Sequence, residues 1–227
     1  MLAYPWAYPG PPRPSRAART LPRKSRNHFL GQLTFGEERG QGQCLVFESM
    51  LEYNTALQLI YRPGVVDVID QQGPVVFAKA SGKRGTHYLD YVAVERAGRR
   101  TGVVVKPAYH AMRPAFRLEV ARIAAAATPS VVDRVVIVTE RSIDRQRLAR
   151  YSQFHAARFA QPEYDAALEQ VVDRGVDPVS IRDLLLRTGV GPAGFHAALR
   201  SIRYGRLQTI EPGLVKMSSI VHSTGLR

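Results

Sequence analysis

The sequence predicts an α/β fold: a mixed-sheet core flanked by helices, followed by a small helical domain that ends in a hairpin. Three observations carry this. Between about residues 44 and 139 the apolar spacing runs helix, several strands, helix, strand, which is the order of an α/β core with a mixed sheet. After about Ser142 the pattern changes to short helices and then strand, turn, strand. Hydrophobic residues make up 45% of 227, enough to bury a core in one large domain or two small ones. The predicted boundaries are an arm over 1–26, an α/β domain over 27–143 and a helical domain over 144–227.

The arm holds Pro5, Pro9, Pro11, Pro12, Pro14 and Pro22 among Arg13, Arg16, Arg19, Arg23, Lys24 and Arg26, with no acid before Glu37. It reads as extended, basic and flexible, either following a polyanion or docking on a partner, or else a solvated tail. A helix is expected from about Cys44 to Tyr61, where Phe47, Met50, Leu51, Leu57, Ile60 and Tyr61 recur at helical spacing and Arg62-Pro63-Gly64 stops the run. Val65–Ile69 and Val75–Ala78 read as two short strands. Tyr88–Glu95 and Thr101–Lys106 read as a hairpin turning on Gly98. Pro107 breaks that strand, a helix follows from about Arg113 to Ala127, and Val135–Thr139 is a further buried strand.

In the last third, Tyr164, Ala167, Leu168, Val171 and Val172 form one apolar stripe. Asp177-Pro178 looks like a helix start, and Pro192 opens another helix after the Gly189-Val190-Gly191 turn. Leu207–Ile210 and Leu214–Met217 flank Glu211-Pro212-Gly213 as strand, turn and strand. Three short helices and a hairpin are the outline of a winged helix-turn-helix.

Lys and Arg number 32 against 19 Asp and Glu, a net charge of +13. That surplus favours a polyanionic partner, nucleic acid before membrane, over a basic protein with no such partner. Cys44 is the only cysteine, which excludes a disulfide framework and a cysteine-based zinc site. Neither a signal peptide nor a membrane span is expected, and a cytoplasmic location is the default.

The chemistry-bearing residues come in a fixed order. Glu48 and Glu52, one helical turn apart on the expected helix, read either as an exposed acidic face or as a candidate acid pair. Asp90 stands inside the apolar run Tyr88–Val94, where a carboxylate is costly unless paired, hydrogen-bonded or bound to metal. Lys106 ends an equally apolar strand. A hairpin turning on Gly98 would set Asp90 opposite Lys106, as a structural ion pair or as part of a site. An acid, an acid and a lysine in this order suit cleavage of a phosphodiester. His87 reads as a loop-edge residue on the other strand face from Asp90.

Ser49-x-Leu51-Glu52, Val65-Val66-Asp67-Val68-Ile69-x-Gln71, Asp90-Tyr91 and Val105-Lys106-Pro107-Ala108 together resemble the TnsA family, the restriction-endonuclease-like nuclease subunit of heteromeric transposases. The resemblance covers about residues 27 to 145. It implies a restriction-endonuclease-like core with Glu52, Asp90 and Lys106 as catalytic residues. Glu52, Asp90 and the Val105 carbonyl would be ligands of Mg²⁺, or of Mn²⁺ as a substitute, with Gln71 and Glu48 as supporting groups. It also implies double-stranded DNA as substrate, a TnsB-like integrase-fold transposase as partner, an ATPase regulator, and a bacterial or phage source. Family members carry Gln or Glu two residues before the lysine, where this chain has Val104. Three consequences stay open: two carboxylates suffice, the acid has moved to Glu119, or cleavage is lost.

From Leu184 to Ile210 there is no acid, while Arg187, Arg200, Arg203 and Arg206 are present. On the helix after Pro192, His196, Arg200 and Arg203 share one face and Phe195, Leu199 and Ile202 another. That pattern predicts a recognition helix, with Arg187, His196, Arg200, Arg203 and Arg206 contacting DNA, against the alternative of a solvated basic face.

Overall fold

The structure, a computed structural model, describes residues 10–20, 29–36 and 40–225. It is a mixed α/β fold in two compact units. One contains Pro12–Phe35 and Gly42–Asp144. The other contains the chain from Arg145 onward and, among the described residues, Gly10–Pro11, Gly36 and Gly40–Gln41.

In the first unit, β1 (Gly31–Phe35) and β2 (Gln43–Phe47) pair antiparallel. Then come α1 (Met50–Tyr61), β3 (Val65–Ala78), β4 (Arg84–Glu95), β5 (Arg100–Val105), α2 (Ala108–Ala111), α3 (Pro114–Ala127) and β6 (Arg134–Val138). The four-stranded sheet has the order β3-β4-β5-β6, with β3, β4 and β5 antiparallel in sequence and β6 parallel to β5. A parallel return needs a crossover, and α3 supplies it. Leu33, Phe35, Leu45 and Phe47 of the two-stranded sheet pack with Ala56 and Leu59 of α1 and with Tyr91, Ala93, Val103 and Val105. Leu89, Val92 and Val104 pack instead with Val120, Ile123 and Ala127 of α3. The sheet is therefore covered on two faces.

The helix expected from Cys44 begins only at Met50. Cys44–Phe47 belongs to β2, because a short apolar run reads equally well as strand or helix. Ser49 is the N-cap: its Oγ accepts from the Glu52 N–H at 3.1 Å and its hydroxyl donates to Glu52 Oε1 at 3.0 Å. Ser-x-x-Glu is a capping-box spacing, a start signal present in the sequence. Glu48 thus lies outside the helix and shares no helical face with Glu52.

The two short strands expected over 65–78 are one strand whose register shifts between Gln72 and Val75. Pro74 has no N–H for the ladder, and a Cβ on Gly73 would stand 2.8 Å from the His87 carbonyl oxygen, so a bulge falls there. The 4–5 hairpin is present with a different register. Tyr91 faces Val103 and Val94 faces Arg100, pairs equidistant from Ala97 rather than Gly98. Gly98 supplies the turn's positive φ of 82°, which does not require it to be the centre.

The arm differs most from its expected form. Residues 1–9 and 21–26 lie outside the described residues, but Arg13–Thr20 is fastened to the first unit. Arg13 bridges β2 through its backbone, Ser15 donates to Asp70 at 2.6 Å, and Arg16 forks onto Asp67 at 2.8 and 2.6 Å. A basic segment meeting matching carboxylates is held against the unit over Arg13–Thr20, in place of the expected flexible arm.

The second unit runs α4 (Arg145–Ala156), α5 (Pro162–Val172), β7 (Val179–Ser180), α6 (Ile181–Arg187), a 3₁₀ turn at Gly191–Gly194, α7 (Phe195–Arg203), β8 (Leu207–Thr209) and β9 (Ile220–Ser223). Its sheet has the order β7-β9-β8, antiparallel throughout. The helix start lies at Ser180, whose Oγ caps the Asp183 N–H at 3.1 Å, and not at Asp177-Pro178. Leu214–Met217 is loop, and Ile220–Ser223 is the returning strand. No helix among the described residues is long and apolar enough to cross a membrane.

Candidate functional site

The site is assembled where β4 and β5 part. Their pairing ends at Tyr91 opposite Val103, and past that point the Val105 N–H donates to Asp90 Oδ2 at 2.7 Å. Asp90 is therefore held against the end of β5, one residue from Lys106. Lys106 is exposed, and no ion pair joins it to Asp90. Its charge still acts on the Asp90 carboxylate. The expected side-by-side placement is replaced by a two-residue offset, and the structural ion pair does not form.

Glu52 reaches the same place from the first turn of α1. Tyr91, fully buried beside Asp90, donates its hydroxyl to the Glu52 carbonyl at 3.2 Å and so fixes that turn to β4. The Glu48 N–H donates to Glu52 Oε2 at 2.8 Å. Burial pushes the Asp90 pKa up to about 7; the Val105 N–H opposes this, Glu52 adds to it, and Lys106 and Arg19 oppose it. Two carboxylates close enough to repel, beside a lysine that has no ion-pair partner among the described residues, form an arrangement that a bound cation would relieve.

Gln71 is 1% exposed; its Oε1 accepts from Arg19 Nε at 2.8 Å, and its Nε2 has no hydrogen-bond partner. Glu48 forms an ion pair with Arg19. Val104 is fully buried among the apolar side chains packed on α3, so it faces core and offers no ligand. Glu119 is exposed on α3 and acts on His87 rather than on Asp90. His87 is not a loop-edge residue: it lies inside β4, half-buried, with Nε2 unpartnered, and burial and then Lys106 hold its pKa below the ordinary value. Arg19 and His87 are the site neighbours that sequence reasoning missed. The positive charge of Arg19 was visible, but its docking depends on Asp70 and Gln71, about 50 residues away.

Among the described residues, no group of three or more His, Cys, Asp and Glu side chains is gathered closely enough to hold a metal. The donors tied to Asp90 by hydrogen bond or charge are oxygens: the carboxylates of Asp90 and Glu52 and the backbone of Val105. That chemistry suits a hard divalent ion that keeps several waters.

The expected DNA face of α7 is largely internal. Arg200 is 5% exposed: it bonds Asp165 Oδ1 through Nε at 2.9 Å and Nη2 at 2.6 Å, and the carbonyls of Ala157 and Phe159 at 2.8 and 2.7 Å. It ties α7 to α5 and to the end of α4, so it is not a DNA contact. Arg206 is paired with Glu169 and Asp173. Arg203 lies over the Tyr204 ring at 5.3 Å. Only Arg187 and His196 of the expected set are openly exposed.

No protein-family profile matches this chain, and no curated protein sequence is similar enough to count as a relative.

Proposed function

We propose that this protein is a metal-dependent DNA endonuclease of the TnsA type, with a restriction-endonuclease-like core. The observation that carries this reading is convergence at one point of the sheet. Asp90 lies in the middle of β4, and Lys106 from just past the end of β5 and Glu52 from the first turn of α1 come within electrostatic reach of its carboxyl where the β4–β5 ladder opens. The order β3-β4-β5-β6, with an antiparallel hairpin and a helical crossover to a parallel strand, supports the same core. The order α5, β7, α6, α7, β8, β9, with β9 between β7 and β8, supports a winged-helix second unit.

Asp90 and Glu52, with the Val105 carbonyl, would hold Mg²⁺ or Mn²⁺. Such an ion supplies Lewis-acid polarisation of the phosphate and a more acidic bound water. Asp90 keeps a carboxylate aimed at the open end of β5, with the Val105 N–H fixing its orientation. Glu52 is positioned by Tyr91 and Ser49. Lys106 offers an ammonium to the charge developing on the phosphate oxygens. The substrate is double-stranded DNA at a transposon end, cut on one strand beside a TnsB-like integrase-fold transposase under an ATPase regulator, in a bacterial or phage setting and in the cytoplasm.

A second reading, a DNA-binding assembly subunit without cleavage, draws on the full burial of Val104. Nicking of end-containing plasmid by the protein with its transposase, with and without Mg²⁺, separates the two. Metal-dependent nicking that Asp90→Ala abolishes supports the endonuclease. Nicking indifferent to Asp90→Ala and Lys106→Ala rejects the site, and DNA binding without any nicking favours the assembly role.

A further inference from the structure

The segment Arg13–Thr20 is built into the first unit with a care that a tether alone does not require. Asp70, fully buried, gathers three donors: the Ser15 hydroxyl at 2.6 Å, the Val46 N–H at 2.9 Å and the Arg16 N–H at 3.2 Å. Arg16 also clamps Asp67 and the Val68 carbonyl, and the Ala18 N–H donates to the Gln71 carbonyl at 3.0 Å. These bonds deliver Arg19 to one place. Its Nε donates to Gln71 Oε1 at 2.8 Å and its Nη2 pairs with Glu48, whose own N–H holds the Glu52 carboxylate. Arg19 therefore stands at the edge of the site, close enough for its charge to act on Asp90 and on His87.

Two observations point to a missing ligand. The bond from Arg19 fixes the Gln71 amide with its oxygen toward the arginine, so the orphaned group is the Nε2 amine, buried in a residue 1% exposed. A buried donor without a partner costs about 1–3 kcal/mol, and native structures leave few of them. Gln71 is also the only non-glycine residue with positive φ among the described residues, at 46°, a conformation that needs support from its surroundings. On Arg19, Nε and Nη2 are taken by Gln71 and Glu48, and Nη1 makes no hydrogen bond among the described residues. A partly exposed guanidinium with one donor open at the edge of the site calls for an anionic oxygen. A phosphodiester has that chemistry.

We propose that Arg19, held in place by the Gln71 amide oxygen, is a phosphate-binding element of the nuclease site, gripping a backbone phosphate of the bound DNA strand beside Lys106. The N-terminal segment is then part of the active site and not a separate arm. This rests on the nuclease reading above.

The test uses the full chain with Arg19→Ala, Arg19→Lys and wild type. It measures binding of an end-sequence duplex by fluorescence anisotropy in Ca²⁺ at several salt concentrations, and nicking in Mg²⁺. Arg19→Ala should weaken binding about tenfold or more and lower the salt slope by about 1, with Arg19→Lys recovering part of the affinity. A set of duplexes, each with one phosphate replaced by a neutral methylphosphonate, should contain one position that weakens wild type and leaves Arg19→Ala unaffected. If Arg19→Ala binds and nicks as wild type does, Arg19 is a structural tie and the proposal falls while the nuclease reading stands. Should Arg19→Ala fail to fold, Arg19→Lys decides: wild-type affinity with an unchanged methylphosphonate profile overturns the proposal. If wild type binds DNA without nicking, the binding and methylphosphonate results decide Arg19 alone. If wild type neither binds nor nicks, both readings fall.

Discussion

Two ionisable side chains, Arg200 and the partly buried Asp90, have opposite surroundings. In the helical unit, Arg200 has its guanidinium matched by Asp165, Gln161 and two backbone carbonyls. Nothing in that arrangement awaits a ligand. In the sheet unit, Asp90 has one backbone donor, a repelling neighbour in Glu52 and a pKa pushed up to about 7, while Gln71 Nε2 and His87 Nε2 lack partners. A satisfied charge holds a fold together; the incompletely satisfied cluster beside an exposed lysine is the feature on which the proposed site rests.

The sharpest way to break this contrast is substitution at the cluster. Asp90→Ala or Lys106→Ala should lower Mg²⁺-dependent nicking by about a thousandfold, roughly 4 kcal/mol of activation free energy, with circular dichroism and melting close to wild type. Loss of the fold instead would make these residues structural.

Arg200→Ala should do the reverse. Removing it strands Asp165 and two inward carbonyls, at a cost of about 3 kcal/mol of stability in urea denaturation. Affinity for DNA, measured where the variant is still folded, should stay at the wild-type level. A stable variant with weakened DNA binding would restore the recognition-helix reading of this residue.

A smaller effect is a pH slope. The folded protein keeps a proton on Asp90 up to about pH 7, whereas an unperturbed aspartate releases it near 3.8. Between those values the native state binds the extra proton, so the metal-free protein should lose stability as pH rises through that window. Asp90→Asn should remove this component of the slope and be the more stable protein at pH 8. Mg²⁺ should stabilise wild type above pH 7 and leave Asp90→Asn unchanged. Equal slopes for the two proteins would show that Asp90 ionises as an ordinary carboxylate.

Last in size, Arg187→Ala should leave stability within about 0.5 kcal/mol and lower the salt slope of DNA binding by about 1, as expected of an exposed phosphate contact. An unchanged slope would remove α6 from the DNA surface.

Much of the α/β order was legible because it depends on local pattern. The strand before Lys106, the Pro107 break, the helix ending before Pro129 and the strand after it all occur within a residue or two of their expected places, while the strand around Asp90 ends where expected but begins at Arg84 rather than Tyr88. Other features hid in local ambiguity. Cys44–Phe47 fits helix or strand, and pairing with Gly31–Phe35 decides for strand. The hairpin centre moved from Gly98 to Ala97, which shifts every cross-strand pair by two residues, and no propensity fixes that choice.

By itself the sequence determined the order of elements from α1 to β6 in outline, the charge and the identity of the carboxylates and the lysine, because periodicity, proline and glycine act over a few residues. Tertiary structure alone decided which charges are spent. His196 and Arg200 stand four residues apart on the same helix, yet His196 is exposed while Asp165, from another helix, holds Arg200 inward. Arg19 looks like any other arginine of a basic arm until Asp70 and Gln71 hold its segment against the sheet. Burial and long-range partners set the free energy of a charged group, and neither is written in the residues beside it.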